Sequence, residues 1–428
     1  MSVYHKKRNQ SIETCLPPLL EQLTLADVQE AVKGRFNSFC LAIGIQALMV
    51  LMEQDTEALA GPKGKHDPNR TAYRHGYQNT SVPMGNQRVA IKRPRVRTVG
   101  ADQELPIPSY EAFANDEQLL EAALNRMLYG LSSRDYTYGI EDYGDIAETS
   151  STSKSTISRR FIQASAEQAK KVLNRRFDGL TIPVIMIDGI ARGDYTAIVV
   201  LGITDDGKKI IMGVRIGSTE NSIVCRDLLV DLIERGLNYE HGLLAVIDGS
   251  KALRKALKQV FGDKVLIQRC QIHKERNVLG YLPEYKHEWV KRKLRKAWSL
   301  ENAHEAVLHL KNLATALEHN YPDAAASLRE GLEETVTILK LAIPELLRLS
   351  LRSTNPIESA FSLASKNMKN VKNWKNGSMV QRWVCTALLD AEHRAHRING
   401  YRSVGILIAE INRLTSLPDG EAKESETA

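Results

Sequence analysis

The chain has 428 residues, 43% hydrophobic and 25% charged, a composition that excludes intrinsic disorder and suits two to four globular domains. Lys and Arg outnumber Asp and Glu by 58 to 51, a net charge of +7 that permits a nucleic-acid partner without demanding one. Five widely spaced cysteines give no disulfide framework and fit a reducing, cytoplasmic setting, and the opening MSVYHKKRNQ lacks the apolar core of a signal peptide.

Residues 1–62 read as a helical N-terminal region. Residues 25–59 form its main helix, apolar on most faces and weakened at Gly34 and Gly44. Such a helix is buried, within its own chain or against a second copy. Its longest apolar run, 39–52, is too short to cross a bilayer, so no membrane partner is expected. Gly61, Pro62 and Gly64 end the helix.

Residues 63–110 form a basic β-ribbon. Between Lys63 and Arg97 nine basic residues face one acid, Asp67, so this stretch nets +8 and the rest of the chain about −1. Val82, Val89, Ile91 and Val96 alternate with Arg and Lys as in short strands, and Gly85-Asn86 marks a hairpin turn. Arg and Lys guard many strand edges, yet nine like charges exceed that need. The stretch therefore favours contact with the DNA backbone, with Arg74, Arg93, Arg95 and Arg97 as candidates. Residues 111–178 are helix-turn-helix-like. They comprise an amphipathic helix over 116–129, a second over 133–143, a Ser/Thr-rich turn at 149–153, and a third helix running to about 169. Lys154, Arg159 and Arg160 occupy the first turns of the third helix, where a recognition helix meets DNA. A three-helix bundle with a solvated polar face has the same pattern.

From residue 179 the texture changes. Apolar strands are expected over 182–187, 195–203, 209–216, 243–247 and 264–268, with helices over 225–235 and 251–260. Three strands in a meander, then helix, strand, helix, strand, is the order of a ribonuclease-H-like α/β sheet. Two of these strands end in Asp-Gly, at Asp188 and Asp248. Phosphodiester cleavage with two divalent ions needs carboxylates that bridge and flank the metals, and strand-end acids facing an open loop meet that need. Asp205, Asp206 and Asp263 stand beside glycine in turns and are set aside. A third acid, Glu358, falls in the first turn of a helix that Asn355 would cap and Pro356 would begin. Asn-x-x-Glu is also capping-box spacing, and spacing alone leaves the two roles even.

Several separated motifs resemble the Mutator-type family of bacterial insertion-sequence transposases. They are Arg70-Thr71-Ala72-Tyr73-Arg74-His75-Gly76-Tyr77, Arg93-Pro94-Arg95-Val96-Arg97, the two Asp-Gly strand ends, Cys270-Gln271-Ile272-His273-Lys274-Glu275-Arg276-Asn277, and Ser353-Thr354-Asn355-Pro356-Ile357-Glu358-Ser359. The resemblance covers about 70–401. It implies a DDE transposase whose catalytic acids fall on Asp188, Asp248 and Glu358. Two Mg²⁺ or Mn²⁺ ions and a bacterial cytoplasmic, nucleoid-associated location are implied with it. So are double-stranded DNA partners (terminal inverted repeats and target DNA) and a homodimer or higher oligomer on DNA. The resemblance further implies an all-α insertion, over 276–350, between core segments 179–275 and 351–413. Where many relatives carry an Arg-rich helix start, this chain has Ser359-Ala360-Phe361-Ser362, and Lys366, Lys369 and Lys372 stand in for that charge.

Cys270-x-x-His273 lacks the second Cys/His pair of a structural zinc site, so a structural or substrate-positioning role is favoured over metal binding. Trp289 and Trp298 lie among six Lys and Arg residues between 286 and 296, which suits either stacking on a DNA end or an amphipathic core helix. Residues 414–428 read as a disordered tail. Two rival functions share these features: a structure-selective nuclease without strand transfer, and an inactive DNA-binding regulator. A carboxylate-pair glycosidase explains neither basic region.

Overall fold

The structure, a computed structural model, describes residues 24–26, 29, 36–65, 67–139, 149–150, 153–217 and 222–416. It divides into two compact units, 1–164 and 165–428.

In the first unit, helix α1 (Phe36–Ala60) lies on a small antiparallel sheet made of β1 (Ala72–Met84), β2 (Gln87–Thr98), β3 (Glu104–Leu105) and β4 (Thr149–Ser150). Leu41, Ile45, Leu48 and Met52 recur at helical spacing and bury against Val82, Val89, Ile91 and Val96 from alternate strand positions. The hairpin closes with Met84 opposite Gln87. Gly85, at φ +59, supplies the left-handed first residue that the two-residue turn needs. One helical stretch, Phe39–Ala60, is long and apolar enough by composition to cross a membrane, so the expectation from the shorter run 39–52 is corrected on length. One face of it, Leu41, Ile45, Leu48 and Met52, packs on the sheet. Glu53 pairs with Arg74, and Asp55 accepts from the Ser109 backbone N–H at 2.7 Å.

Helices α2 (Pro108–Ala114) and α3 (Glu117–Leu128) follow, and α4 (Lys154–Leu173) spans the division between the units. The second expected helix is corrected: 133–135 form a turn and Tyr136–Gly139 a single 3₁₀ turn, while 140–148 lie outside the described residues. Ser132 Oγ accepts the backbone N–H groups of Arg134 and Asp135, both at 3.2 Å, a local bonding pattern that competes with a helical start.

The second unit is built on a five-stranded sheet: β5 (Val184–Arg192), β6 (Tyr195–Ile203), β7 (Lys209–Gly217), β8 (Leu243–Ile247) and β9 (Val265–Arg269), in the order β7-β6-β5-β8-β9. The first three form an antiparallel meander, and β8 and β9 add in parallel. Helices α5 (Ser222–Glu234) and α6 (Lys251–Phe261) cover one face, packing Leu228, Leu232, Leu253 and Leu257 on Ile185, Ile187, Ala245 and Ile247. Ser250 caps α6 by accepting the Leu253 N–H, a bond worth about 1 kcal/mol.

After β9 come α7 (Gln271–Leu279), α8 (Glu284–Trp298), α9 (Ala303–Glu318), α10 (Pro322–Arg329), α11 (Thr337–Lys340) and α12 (Glu345–Leu351). They carry their own core, which includes Val290, Leu294, Leu310, Leu313 and Leu328. Trp298 belongs to that core, 8% exposed and donating Nε1–H to Thr335 Oγ1 at 3.2 Å, so of its two sequence readings the amphipathic core helix holds. Gln268 and Gln271 side chains both donate to the Thr335 carbonyl, at 3.0 and 2.9 Å, and tie these helices to β9. The chain then returns with α13 (Asn355–Asn367), α14 (Gly377–His393) and α15 (Val404–Ser416). Residues 414–416, expected in a disordered tail, end α15 with Thr415 buried, and 417–428 lie outside the described residues.

Candidate active site

Strand β5 differs from its expected end at Asp188 and continues to Arg192, because the antiparallel pairing with β6 runs on to Arg192 opposite Tyr195. Its parallel pairing with β8 stops at Ile187 opposite Ile247. Asp188 and Asp248 are therefore the next residues on two adjacent strands, which lie about 4.8 Å apart. Ile185 and Ile187 enter the core under α5 and α6, so period-2 alternation turns Asp188 to the opposite face. Each aspartate spends Oδ1 on nearby backbone: Asp188 accepts the Gly189 N–H at 2.8 Å, and Asp248 the Ser250 N–H at 2.9 Å. Among the described residues neither Oδ2 has a protein donor.

Helix α13 brings the third acid. Ile357, Ala360, Phe361 and Ala364 bury along one stripe. Arg192 at the end of β5 donates to Ser365 Oγ, and Asn367 Nδ2 donates to Asp390 of α14 at 2.7 Å. The helix cap differs from expectation. Thr354, not Asn355, is the N-cap, and its side chain caps no backbone N–H. Instead Thr354 Oγ1 donates to Glu358 Oε1 at 2.7 Å, so Glu358 reaches back to the N-cap residue of its own helix through that residue's hydroxyl rather than its backbone N–H.

Asp188 carries the electrostatic signature of the cluster. Burial pushes its carboxyl up to about 6, the negative charges of Asp248 and Glu358 add to the rise, and the Gly189 N–H and His273 oppose it. Its charge is costly as the site stands.

Cys270 and His273 join the same cluster. Cys270 is the residue before α7, fully buried, and its N–H donates to the Ile247 carbonyl at 2.7 Å. The Thr354 backbone N–H and hydroxyl both point at Cys270 Sγ, at 3.4 and 3.3 Å. Burial would push this thiol up, but the bonds from His273 and Thr354 outweigh it and hold it below its ordinary value. His273 is raised by its bond to Cys270, and the charges of Glu358 and Asp188 add to the rise against burial. His273 Nε2 lies 3.9 Å from Glu358 Oε1. Among the described residues, Cys270, His273 and Glu358 are also three donors whose ligand atoms fall within 4.8 Å of one another. Nothing in the sequence spacing flagged Thr354, although its place four residues before Glu358 on one helix face was available as a signal.

The basic candidates lie in the first unit, apart from this cluster in the chain. Arg74 pairs with Glu53, Arg93 and Arg95 with Glu104, and Arg97 with Asp102. Their side chains are only 16–26% exposed. Three acids from outside the basic stretch, Glu53, Asp102 and Glu104, thus offset part of its apparent +8, while Lys63, Lys65, Arg70 and Lys92 stay exposed. On α4, Lys154 and Arg159 are exposed and Arg160 is buried.

Two aspartates thus follow paired positions on neighbouring strands, and the charge of a helix-borne glutamate is felt at Asp188. The chain belongs to the Mutator family of transposases, whose model matches residues 21–396. It is 30% identical over 251 residues to the transposase for insertion sequence element IS6120 of Mycolicibacterium smegmatis, covering 57% of this chain and 75% of that protein. It is 27% identical to the transposase for ISRM5 of Rhizobium meliloti, over 72% of this chain and 76% of that one. With the transposase for IS256 in transposon Tn4001 of Staphylococcus aureus it shares 24% identity, over 79% and 86% of the two chains. Family membership makes this an enzyme of DNA transposition.

Proposed function

We propose that the chain is a DDE transposase of an insertion sequence, with Asp188, Asp248 and Glu358 holding two Mg²⁺ or Mn²⁺ ions in a ribonuclease-H-like core. The observation that carries the reading is the parallel register of Ile187 with Ile247, followed on each strand by an aspartate. The charges of Asp248 and Glu358 both act on Asp188. The strand order β7-β6-β5-β8-β9 and the helices between β9 and α13 agree with such a core and its insertion. The donor set fits the ions: all three acids offer hard carboxylate oxygens, and neither aspartate Oδ2 has a protein partner among the described residues. When bound, such ions lower the pKa of an attacking water or hydroxyl and stabilise the leaving oxygen. The chain's own residues supply the rest. Thr354 fixes the rotamer of Glu358, the backbone bonds of Gly189 and Ser250 fix those of the aspartates, and no side chain serves as nucleophile.

The substrates on this reading are duplex element ends and target DNA. Lys154 and Arg159 on α4, and the exposed Lys63, Lys65, Arg70 and Lys92, are the cations best placed to meet phosphate. Arg74, Arg93, Arg95 and Arg97 would first have to release their acids. A second copy would pack on α1, where Met49, Val50 and Leu51 are exposed. The test is cleavage of the element's own end duplex with Mg²⁺ present or chelated. Metal-dependent nicking that disappears in Asp248→Asn supports the reading, and nicking that survives in that variant rejects it. Pre-cut ends mixed with target DNA separate a transposase from a nuclease by the appearance of joined product.

A further inference from the structure

Helix α6 starts three residues after Asp248 and splits its surface cleanly. Leu253, Ala256, Leu257 and Phe261 face the core, and Lys251, Arg254, Lys255 and Lys258 are exposed on the other side at i, i+3, i+4, i+7 spacing. That basic face forms one wall of a cleft of about 740 Å³. Ile247 and Gly249, the two neighbours of Asp248, line its end, and Glu330, Gly331 and Glu334 line the opposite wall. Arg269 lies at its base, its side chain 6% exposed and donating to the Glu330 carbonyl at 2.8 Å. A second cavity of about 820 Å³, lined by Arg276, Asn277 and the exposed Tyr281, shares Lys251 and Glu330 with the first. The two meet at the ion pair Lys251–Glu330, at 3.3 Å, whose lysine side chain is 87% exposed.

The charge in the first cleft does not balance. Glu330 pairs with Lys251 and Arg269, and Glu334 with Arg254. Among the described residues, Lys255 and Lys258 have no acidic partner. Five cations against two acids leave about three positive charges in the cleft, held between the sheet's own helix and the helical insertion. Lys251 and Lys258 are seven residues apart, about 10 Å along the helix, which is the axial rise of about three nucleotide steps of one DNA strand.

We propose that this groove carries the phosphate backbone of duplex DNA along the basic face of α6 without reading its sequence. Lys255 and Lys258, the second with only a long 3.4 Å bond to the Val265 carbonyl, are its contacts without an acidic partner among the described residues, and Glu330 and Glu334 are counter-ions that phosphate displaces. The inference rests on the transposase reading and adds a path for the substrate to it. Lysine side chains act on phosphate as flexible point charges, and backbone contacts position DNA without specifying bases.

The experiment measures binding of full-length protein to two labelled duplexes, the element end and an unrelated duplex of equal length, over a series of NaCl concentrations with metal chelated. Lys255→Gln with Lys258→Gln is expected to weaken both duplexes alike, by about tenfold to a hundredfold near 0.1 M salt, and to lower the salt slope by about two. Glu334→Gln is expected to tighten both, which guards against a loss caused by misfolding. Unchanged affinity and slope in the lysine variant would overturn the groove, and so would a loss confined to the element end. Either result alongside intact metal-dependent end cleavage by the wild type leaves the transposase reading standing. A wild type that binds through these lysines but never cleaves has the opposite meaning.

Discussion

Replacing Asp188 by Asn is expected to stabilise the metal-free protein at neutral pH while abolishing its chemistry. Burial, helped by Asp248 and Glu358, lifts the Asp188 carboxyl from 3.8 to about 6 in the folded chain. Between those values the native state holds a proton that the unfolded state has lost, so stability falls as pH rises from about 4 to about 6 and is then flat. A shift of about two units corresponds to about 3 kcal/mol, and partial exposure of the side chain reduces this to about 1–3 kcal/mol. Asn keeps the acceptor for the Gly189 N–H and carries no charge, so it escapes the loss. For a unit of this size the gain is several degrees in melting temperature. The assay is thermal or denaturant unfolding of both proteins from pH 4 to 8 in chelator, repeated with Mn²⁺. The two curves should converge near pH 4, separate between about 4 and 6 and keep a constant gap above 6, and Mn²⁺ should stabilise the wild type alone. A variant equally or less stable at pH 7.5, with an unchanged pH profile, would refute the electrostatic description of the site.

Thr354→Val removes the hydroxyl shared between Glu358 and Cys270. Single-turnover end cleavage should fall by about tenfold or more from loss of positioning with DNA affinity unchanged, and Thr354→Ser should restore most of it. Gly249→Ala combines φ +108 with a Cβ that would fall 2.3 Å from Arg269 Nε, so denaturant titration should show a loss of about 2 kcal/mol or more. Lys274 is fully buried and held down to about 8, chiefly by burial and by the charge of Arg269. Because the unfolded state then binds the extra proton between about 8 and 10.5, wild-type stability should rise across that window, by about 2 kcal/mol at pH 9.5. Lys274→Met should lack that rise in parallel unfolding curves.

Much of the second unit's sheet was legible because its strands are unbroken apolar runs, and their ends are marked by Asp-Gly or by short turns such as Asp206-Gly207. The extension of β5 beyond Asp188 was not, since strand length there depends on pairing with β6 rather than on local composition. Helix α13 was visible from Asn355-Pro356, but its cap lay one residue earlier, where Thr354 reaches Glu358 and, across 84 residues of sequence, Cys270. The charge of the β-ribbon misled most. A count over 63–97 cannot see Glu53, Asp102 and Glu104, which the fold returns to Arg74, Arg93, Arg95 and Arg97. The stripe on α6 was equally hidden: its lysines are ordinary for an amphipathic helix, and only Glu330 and Glu334, arriving from the far side of the insertion, define the cleft they face.

Three carboxylates, and not the neighbouring thiol and imidazole, are proposed to hold the divalent ions. Anomalous diffraction from crystals of the protein with an end duplex and Mn²⁺ tests this directly. Manganese peaks are expected within about 2.2 Å of carboxylate oxygens of Asp188, Asp248 and Glu358, absent for Asp188→Asn with Glu358→Gln. Manganese ligated by Cys270 and His273, with Asp188 and Asp248 left free of metal, would contradict it.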